Sequence, residues 1–141
     1  MEPTCWSAVR QAGLAAALIA FGMVMTGEAV DRLLGATWLA EDIGGGGVVD
    51  RVQSTVSIAA GGKVTGSGGC NRLFGTATIE GSAITFSAMG STRMACPRAV
   101  MVQEGRFLGA LMVTRTFRIE GPHLTFYDVA GAELVRFTQL R

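Results

Sequence analysis

Thr76-Ala77-Thr78-Ile79-Glu80-Gly81-Ser82-Ala83-Ile84-Thr85-Phe86 and, 40 residues later, Thr116-Phe117-Arg118-Ile119-Glu120-Gly121-Pro122-His123-Leu124-Thr125-Phe126 agree at six of eleven positions. Each stretch reads as strand, Glu-Gly turn, strand. The glycine supplies the positive φ that a tight hairpin turn demands. Two such units put four strands into two hairpins. Duplication and simple convergence on one turn chemistry both account for the match, and two copies are too few for a solenoid.

The same reading extends outward. Thr37-Trp38-Leu39-Ala40-Glu41 is strand-like and is closed by Gly44-Gly45-Gly46-Gly47. Over residues 52–59, Val52, Val56 and Ile58 alternate with Gln53, Thr55 and Ser57, which predicts a half-buried strand. Gly61-Gly62 turns the chain and Val64-Thr65-Gly66 begins its return. A last hairpin runs from residues 124–127 through Asp128-Val129-Ala130-Gly131 to residues 133–138. Between the two matched hairpins, Pro97 suits a first helical turn, and Val100, Phe107, Leu108 and Leu111 form one apolar stripe. Gly105 and Gly109 each weaken that helix by about 1 kcal/mol relative to Ala, so it must be held by packing on the sheet. The expected fold class is α+β: a mostly antiparallel curled sheet or partly open β-barrel of about seven or eight strands with one packed helix, curled to hide its edges and preceded by an N-terminal apolar export helix.

Composition bounds the function. The 141 residues carry Lys+Arg 12 against Asp+Glu 11, a net charge of +1, which leaves no overall electrostatic footprint for nucleic acid or an anionic membrane. Hydrophobic residues make up 49% and charged ones 16%, which excludes a disordered chain. His123, Lys63 and Asn71 are each the sole residue of their kind. With so few ionisable groups and no pair of carboxylates at a telling spacing, an enzyme is not expected.

Residues 11–27 contain no charge, Arg10 precedes them, and Gly27-Glu28-Ala29 places small residues at −3 and −1 of a cleavage site. These are the parts of a secretory signal peptide. The alternative is a retained anchor in the inner membrane formed by residues 11–27, although a spanning helix needs roughly 20 apolar residues. Cys5 lies before the apolar run rather than just after it, which argues against a lipoprotein. The expected organisation is therefore residues 1–29 as signal peptide or N-terminal membrane anchor, 30–36 as linker and 37–141 as the domain, in the periplasm or another extracytoplasmic space.

Cys70 and Cys96 are the cysteines that survive export. An even pair in an oxidising compartment reads as a disulfide, which would tie the bend before Leu73 to the base of the helix. Free structural thiols, a metal site and a thiol nucleophile stay open as weaker readings. Zinc would need more ligands than His123 adds, and a nucleophile would need that histidine delivered by the fold. The stretch Gly66-Ser67-Gly68-Gly69-Cys70-Asn71-Arg72 could cradle a phosphate with its N–H groups, but no helix with a Lys-Ser or Lys-Thr pair follows. The simpler account is glycines that let the backbone bulge and approach a neighbour closely.

Gly68-Gly69-Cys70-Asn71-Arg72 with Phe74-Gly75, and Ser91-Thr92-Arg93-Met94-Ala95-Cys96-Pro97 followed by Glu104, Phe107 and Leu111, resemble the META domain of HslJ-type proteins. The resemblance runs from about residue 38 to 137. It implies a small exported or envelope-associated domain, a barrel-like sheet with a packed helix, paired cysteines, and links to heat shock, antibiotic tolerance or virulence. It carries over no catalytic residue and no cofactor. What it transfers is Cys70 and Cys96 as the pair, and Asn71, Arg72, Thr92 and Arg93 as motif positions that could form an interaction site. Glycines 105 and 109 and the lack of a lipid-anchor cysteine depart from the family pattern.

If the bridge forms, those four polar residues lie close together. Asn71 can take a left-handed turn and bond its own backbone. An arginine can fix a loop by donating to carbonyls or to a carboxylate such as Glu104, or two guanidinium groups can form a small anion or partner site. His123, beside Pro122, reads as a solvated loop residue. The function expected from all this is a non-catalytic, monomeric exported domain. It would support envelope integrity or stress tolerance through contact with an envelope protein or surface, without metal or cofactor and without nucleic acid, and would touch the membrane only through an uncleaved N-terminal segment. The alternative is a small carrier of a lipid or other apolar ligand, since a barrel of this size can hold one in its mouth, and the META family resembles the lipid-binding cracked barrels of secretion pilot proteins.

Overall fold

The computed structural model describes residues 26–141. The export-segment reading lies outside those residues except for its last four positions. Among the described residues no helix is long and apolar enough to cross a membrane.

Ten elements follow in order: α1 (Thr26–Leu33), β1 (Thr37–Ile43), β2 (Thr55–Ile58), β3 (Lys63–Ser67), β4 (Arg72–Glu80), β5 (Ala83–Ser91), α2 (Arg98–Val113), β6 (Thr116–Glu120), β7 (His123–Tyr127) and β8 (Glu133–Leu140). Every strand pairs antiparallel with the next, and β8 returns to β1, so the eight strands close into a ring. The sheet is thus closed where the sequence left it curled or partly open. The reason is that β1 runs past the five residues read as strand to Ile43 and pairs with β8 at six positions. β2, by contrast, is only the last part of the 52–59 stretch.

The two matched hairpins are built alike. Gly81 (φ 59°) and Gly121 (φ 58°) each open a two-residue turn whose second position, Ser82 or Pro122, stays at negative φ. That is the type II′ geometry, whose twist suits a tight hairpin. Behind the turns, Ala77 faces Phe86 as Phe117 faces Phe126, and Ile79 faces Ile84 as Ile119 faces Leu124. One seam of the ring is thin. β5 and β6 share the pair Ala83 and Thr116, flanked by bonds from Ile84 N to Arg115 O and from Phe117 N to Ser82 O. α2 packs beside the rest of β5.

The inner face is filled by a single cluster. Trp38, Val56, Ile58, Val64, Ile84, Leu124, Phe126, Val135 and Phe137 are all essentially without solvent contact. Phe86, Phe126, Phe137 and Phe107 touch in series, with ring centroids 5.5, 4.9 and 6.0 Å apart, and so join the sheet interior to α2 in tilted or edge-on contacts.

Two helices, not one, are packed on the ring, and each covers a different end. α2 lies at the end where β1 and β3 finish and β2 and β4 begin, with Phe107 and Leu111 inward. α1 lies at the other end, where Gly35 N donates to Ile58 O and the Arg32 guanidinium to Gly121 O. The expected linker over residues 30–36 is therefore helical through Leu33, which is completely buried, with Ala29, Val30 and Leu34 packed around it. A helix of eight residues is marginal alone. It persists here through that apolar face, with Glu28 in its first turn and Arg32 in its last complementing the helix dipole. The Trp38 indole donates to Leu33 O at 3.1 Å, so burying the ring leaves neither group unpaired.

Candidate functional site

The site grows from the bend between β3 and β4. Gly68 N donates to Asn71 O at 2.9 Å, closing a tight turn in which Gly69 sits at φ 128°. A Cβ on Gly68 would fall 2.3 Å from Glu104 Cγ, so only glycine lets the helix carboxylate come this close. Cys70 and Cys96 are bonded, with Cα atoms 6.2 Å apart, and tie this bend to the base of α2. His123 begins strand β7 rather than sitting in a loop, at the end of the ring opposite the cystine, where its Nδ1 lies 3.7 Å from Glu41.

Asn71 is buried, and every polar atom of its side chain is used. Nδ2 donates to Glu104 Oε1 (2.6 Å) and to Met94 O (3.3 Å), while Oδ1 accepts from Met94 N (2.6 Å) and from Thr92 Oγ1 (3.0 Å). It does not adopt a left-handed turn; its partners lie on the 92–94 segment and on α2. Thr92 Oγ1 in turn accepts from Arg72 N at 3.1 Å, and Thr92 N donates to Arg72 O. One asparagine thus fastens three separate segments.

Glu104 takes the remaining donors. Its Oε2 accepts from Asn71 N (2.6 Å) and Cys70 N (3.0 Å), so the carboxylate is held by Asn71 and the bend rather than by an arginine. The glycine-rich bend does cradle an anion with successive N–H groups, and the anion belongs to the chain itself. Burial, the largest influence on this carboxyl, pushes its pKa up. The Asn71 amide and the N–H groups of Asn71 and Cys70 together outweigh it, so the pKa lies below the ordinary carboxylate value.

Beside Glu104, Gln103 is buried too. Its Nε2 donates to Ser54 Oγ (3.0 Å) and Val52 O (3.2 Å), and its Oε1 accepts from Val49 N (2.6 Å). Ser54 Oγ passes the connection on to Gly68 O at 2.8 Å. Sequence reasoning missed Gln103 and Ser54. A signal was present, because positions 103 and 104 fall on the same helical face as Val100, Phe107 and Leu111.

Arg72 and Arg93 stand apart from this network. Both are exposed, and among the described residues neither side chain makes a hydrogen bond or an ion pair. Cys70, Cys96, Asn71 and Thr92 are thus drawn into one rigid block, with the two guanidinium groups on its surface. Elsewhere, Arg118, Glu120, His123, Thr125, Tyr127 and Arg136 line a shallow depression of about 190 Å³ on the outer face of β6, β7 and β8. Among the described residues no three His, Cys, Asp or Glu side chains gather as a metal site would need.

Two solved structures share the fold. One, from Burkholderia xenovorans and determined by NMR, matches with a TM-score of 0.63 at 22% identity, over 78% of this chain and 85% of its own. A second NMR structure matches with a TM-score of 0.62 at 18% identity, over 77% of this chain and 92% of its own. No curated protein matches the chain. The model of the META domain matches residues 31–140, which takes in the end of α1, the whole ring and α2, so the chain belongs to the META domain family.

Proposed function

We propose that this META domain is a non-catalytic exported module that works by surface contact in the cell envelope, and that the cystine-bound block is its contact site. The observation that carries the reading is the division of labour within the block. Asn71, Thr92, Glu104 and the Cys70–Cys96 bond spend their chemistry on holding two segments still, while Arg72 and Arg93, one on each segment, are left facing solvent. A guanidinium on a rigid mount loses little freedom on binding and suits a carboxylate or phosphate on a partner. The disulfide favours an oxidising, extracytoplasmic setting. The cystine sulfurs offer no thiolate, and His123 sits at the far end of the ring. The carrier reading gains nothing from an inner face filled with aromatic and branched side chains.

The test is photo-crosslinking in intact envelopes, comparing wild type with Arg72→Ala/Arg93→Ala. The expected result is loss of the principal crosslinked species and of stress tolerance, with the fold and the disulfide unchanged. A double variant that keeps every crosslink and full tolerance reduces the arginines to scenery and sinks the proposal.

A further inference from the structure

The polarity of α2 is inverted. Its two uncharged or acidic polar residues, Gln103 and Glu104, point into the protein, while Met101, Val102, Met112 and Val113 face solvent with exposures between 38 and 52%. Gly105 and Gly109 lie on the same outer face with nothing within 4 Å of where a Cβ would stand. Surface helices normally present charged and polar groups there. Here the outer face offers methionine, valine and glycine, with Arg98 as its charge and Arg106 at its edge, where the guanidinium donates to Ile43 O.

The charges carried by α2 and the segments flanking it are one-sided. From residue 88 to 117 the chain carries four arginines (93, 98, 106 and 115) and one acid, Glu104, which is buried and bonded inside. None of those arginines is in an ion pair among the described residues; the pairs present involve Arg118, His123 and Arg136 on the β6–β8 face. A whole-chain charge of +1 conceals this local excess. Two copies meeting face to face here would bring like charges together. An anionic bilayer would meet the arginines with headgroup phosphates and the methionine–valine stripe with the edge of its acyl region.

We infer that α2 docks this domain onto anionic phospholipid surfaces, lying in the interface with Met101, Val102, Met112 and Val113 toward the lipid. The inference deepens the contact reading above by naming the surface, and it rests on that reading. Each arginine brought near an anionic leaflet adds roughly fivefold to partitioning, which is weak singly and effective in number.

The test is oxidative footprinting of the full chain, read residue by residue by mass spectrometry, with vesicles of phosphatidylglycerol or of phosphatidylcholine. Met101 and Met112 report the face, and half-buried Met89 serves as internal reference. The expected result is several-fold slower oxidation of Met101 and Met112 with phosphatidylglycerol and none with phosphatidylcholine. Protection should be reversed by salt, weakened roughly fivefold in lipid affinity by Arg98→Ala, and lost in Val102→Asp/Val113→Asp. Both variants change exposed side chains, and circular dichroism checks that they stay folded.

Equal protection by both lipids would overturn the inference, because an N-terminal anchor alone would produce it. Protection without vesicles would overturn it as well, since the face would then be covered by the chain itself or by a second copy. Capture of an acidic protein without lipid protection would also overturn it, by assigning the face to a different partner. Failure here with crosslinks still dependent on Arg72 and Arg93 removes the lipid surface and leaves the contact reading standing. Loss of both removes the two together.

Discussion

The two ends of the ring are closed in opposite ways. At one end α1 inserts Leu33 beside Trp38, and the main polar event is an indole N–H meeting a helix carbonyl. At the other end α2 brings Gln103 and Glu104 into the interior, where a serine meets the first and a buried asparagine and the Cys70 N–H meet the second, with Thr92 bonded in turn to the asparagine. Apolar packing tolerates small shifts in position, because its energy depends on area. Hydrogen bonds to a buried carboxylate do not tolerate them, because each unpaired donor is costly. The polar end is accordingly where the chain holds two segments in one arrangement, and it is there that the exposed arginines are mounted.

The sharpest way to break this contrast is Glu104→Ala. It strands two backbone N–H groups and the Asn71 amide, and the expected loss is about 4 kcal/mol in denaturant unfolding. Acid should mimic it. The folded-state pKa lies below the unfolded value of 4.5, so the contribution is complete above that pH and fades as pH falls through the lowered value. Glu104→Gln should flatten this acid limb of the stability curve, and an unchanged limb would show that the carboxylate is not the titrating group.

Next in size is Cys70→Ser/Cys96→Ser. Opening a loop with a sequence separation of 26 should cost about 3.5 kcal/mol. Combined with Glu104→Ala the loss should fall short of the sum, because both changes free the same segments. Leu33→Ala, at the apolar end, should cost about 3 kcal/mol. It should add to the cystine change within about 0.5 kcal/mol, and reductant should not alter its effect. Strong coupling between the two ends in such a cycle would show that they are one cooperative unit rather than two kinds of closure.

The apolar sheet was far easier to read than either end. Ile79, Glu80, Gly81 and Phe86, with their counterparts at 119, 120, 121 and 126, carry alternation and turn chemistry in consecutive residues, so local sequence contains what the hairpins need. α1 escaped because its core-facing Ala29, Val30 and Leu33 straddle the boundary between an export-like stretch and a short charged piece, and no local pattern separates them. The cystine and its neighbours were legible as a cluster, but the role of Asn71 was not. An asparagine between a cysteine and an arginine looks like a turn residue until Thr92 and Met94 from one segment and Glu104 from α2 are brought to it. Gln103 shows the same limit, since a glutamine on a helix reads as solvent-facing unless its helical face is weighed against its polarity.

The pairing of β1 with β8 has a consequence for how this protein comes into being. The first strand waits for the last, so a polypeptide emerging from a ribosome remains an unfinished sheet, bare along both borders, until the segment ending at Leu140 arrives. Protection against sticking to neighbours is therefore the final thing the molecule acquires.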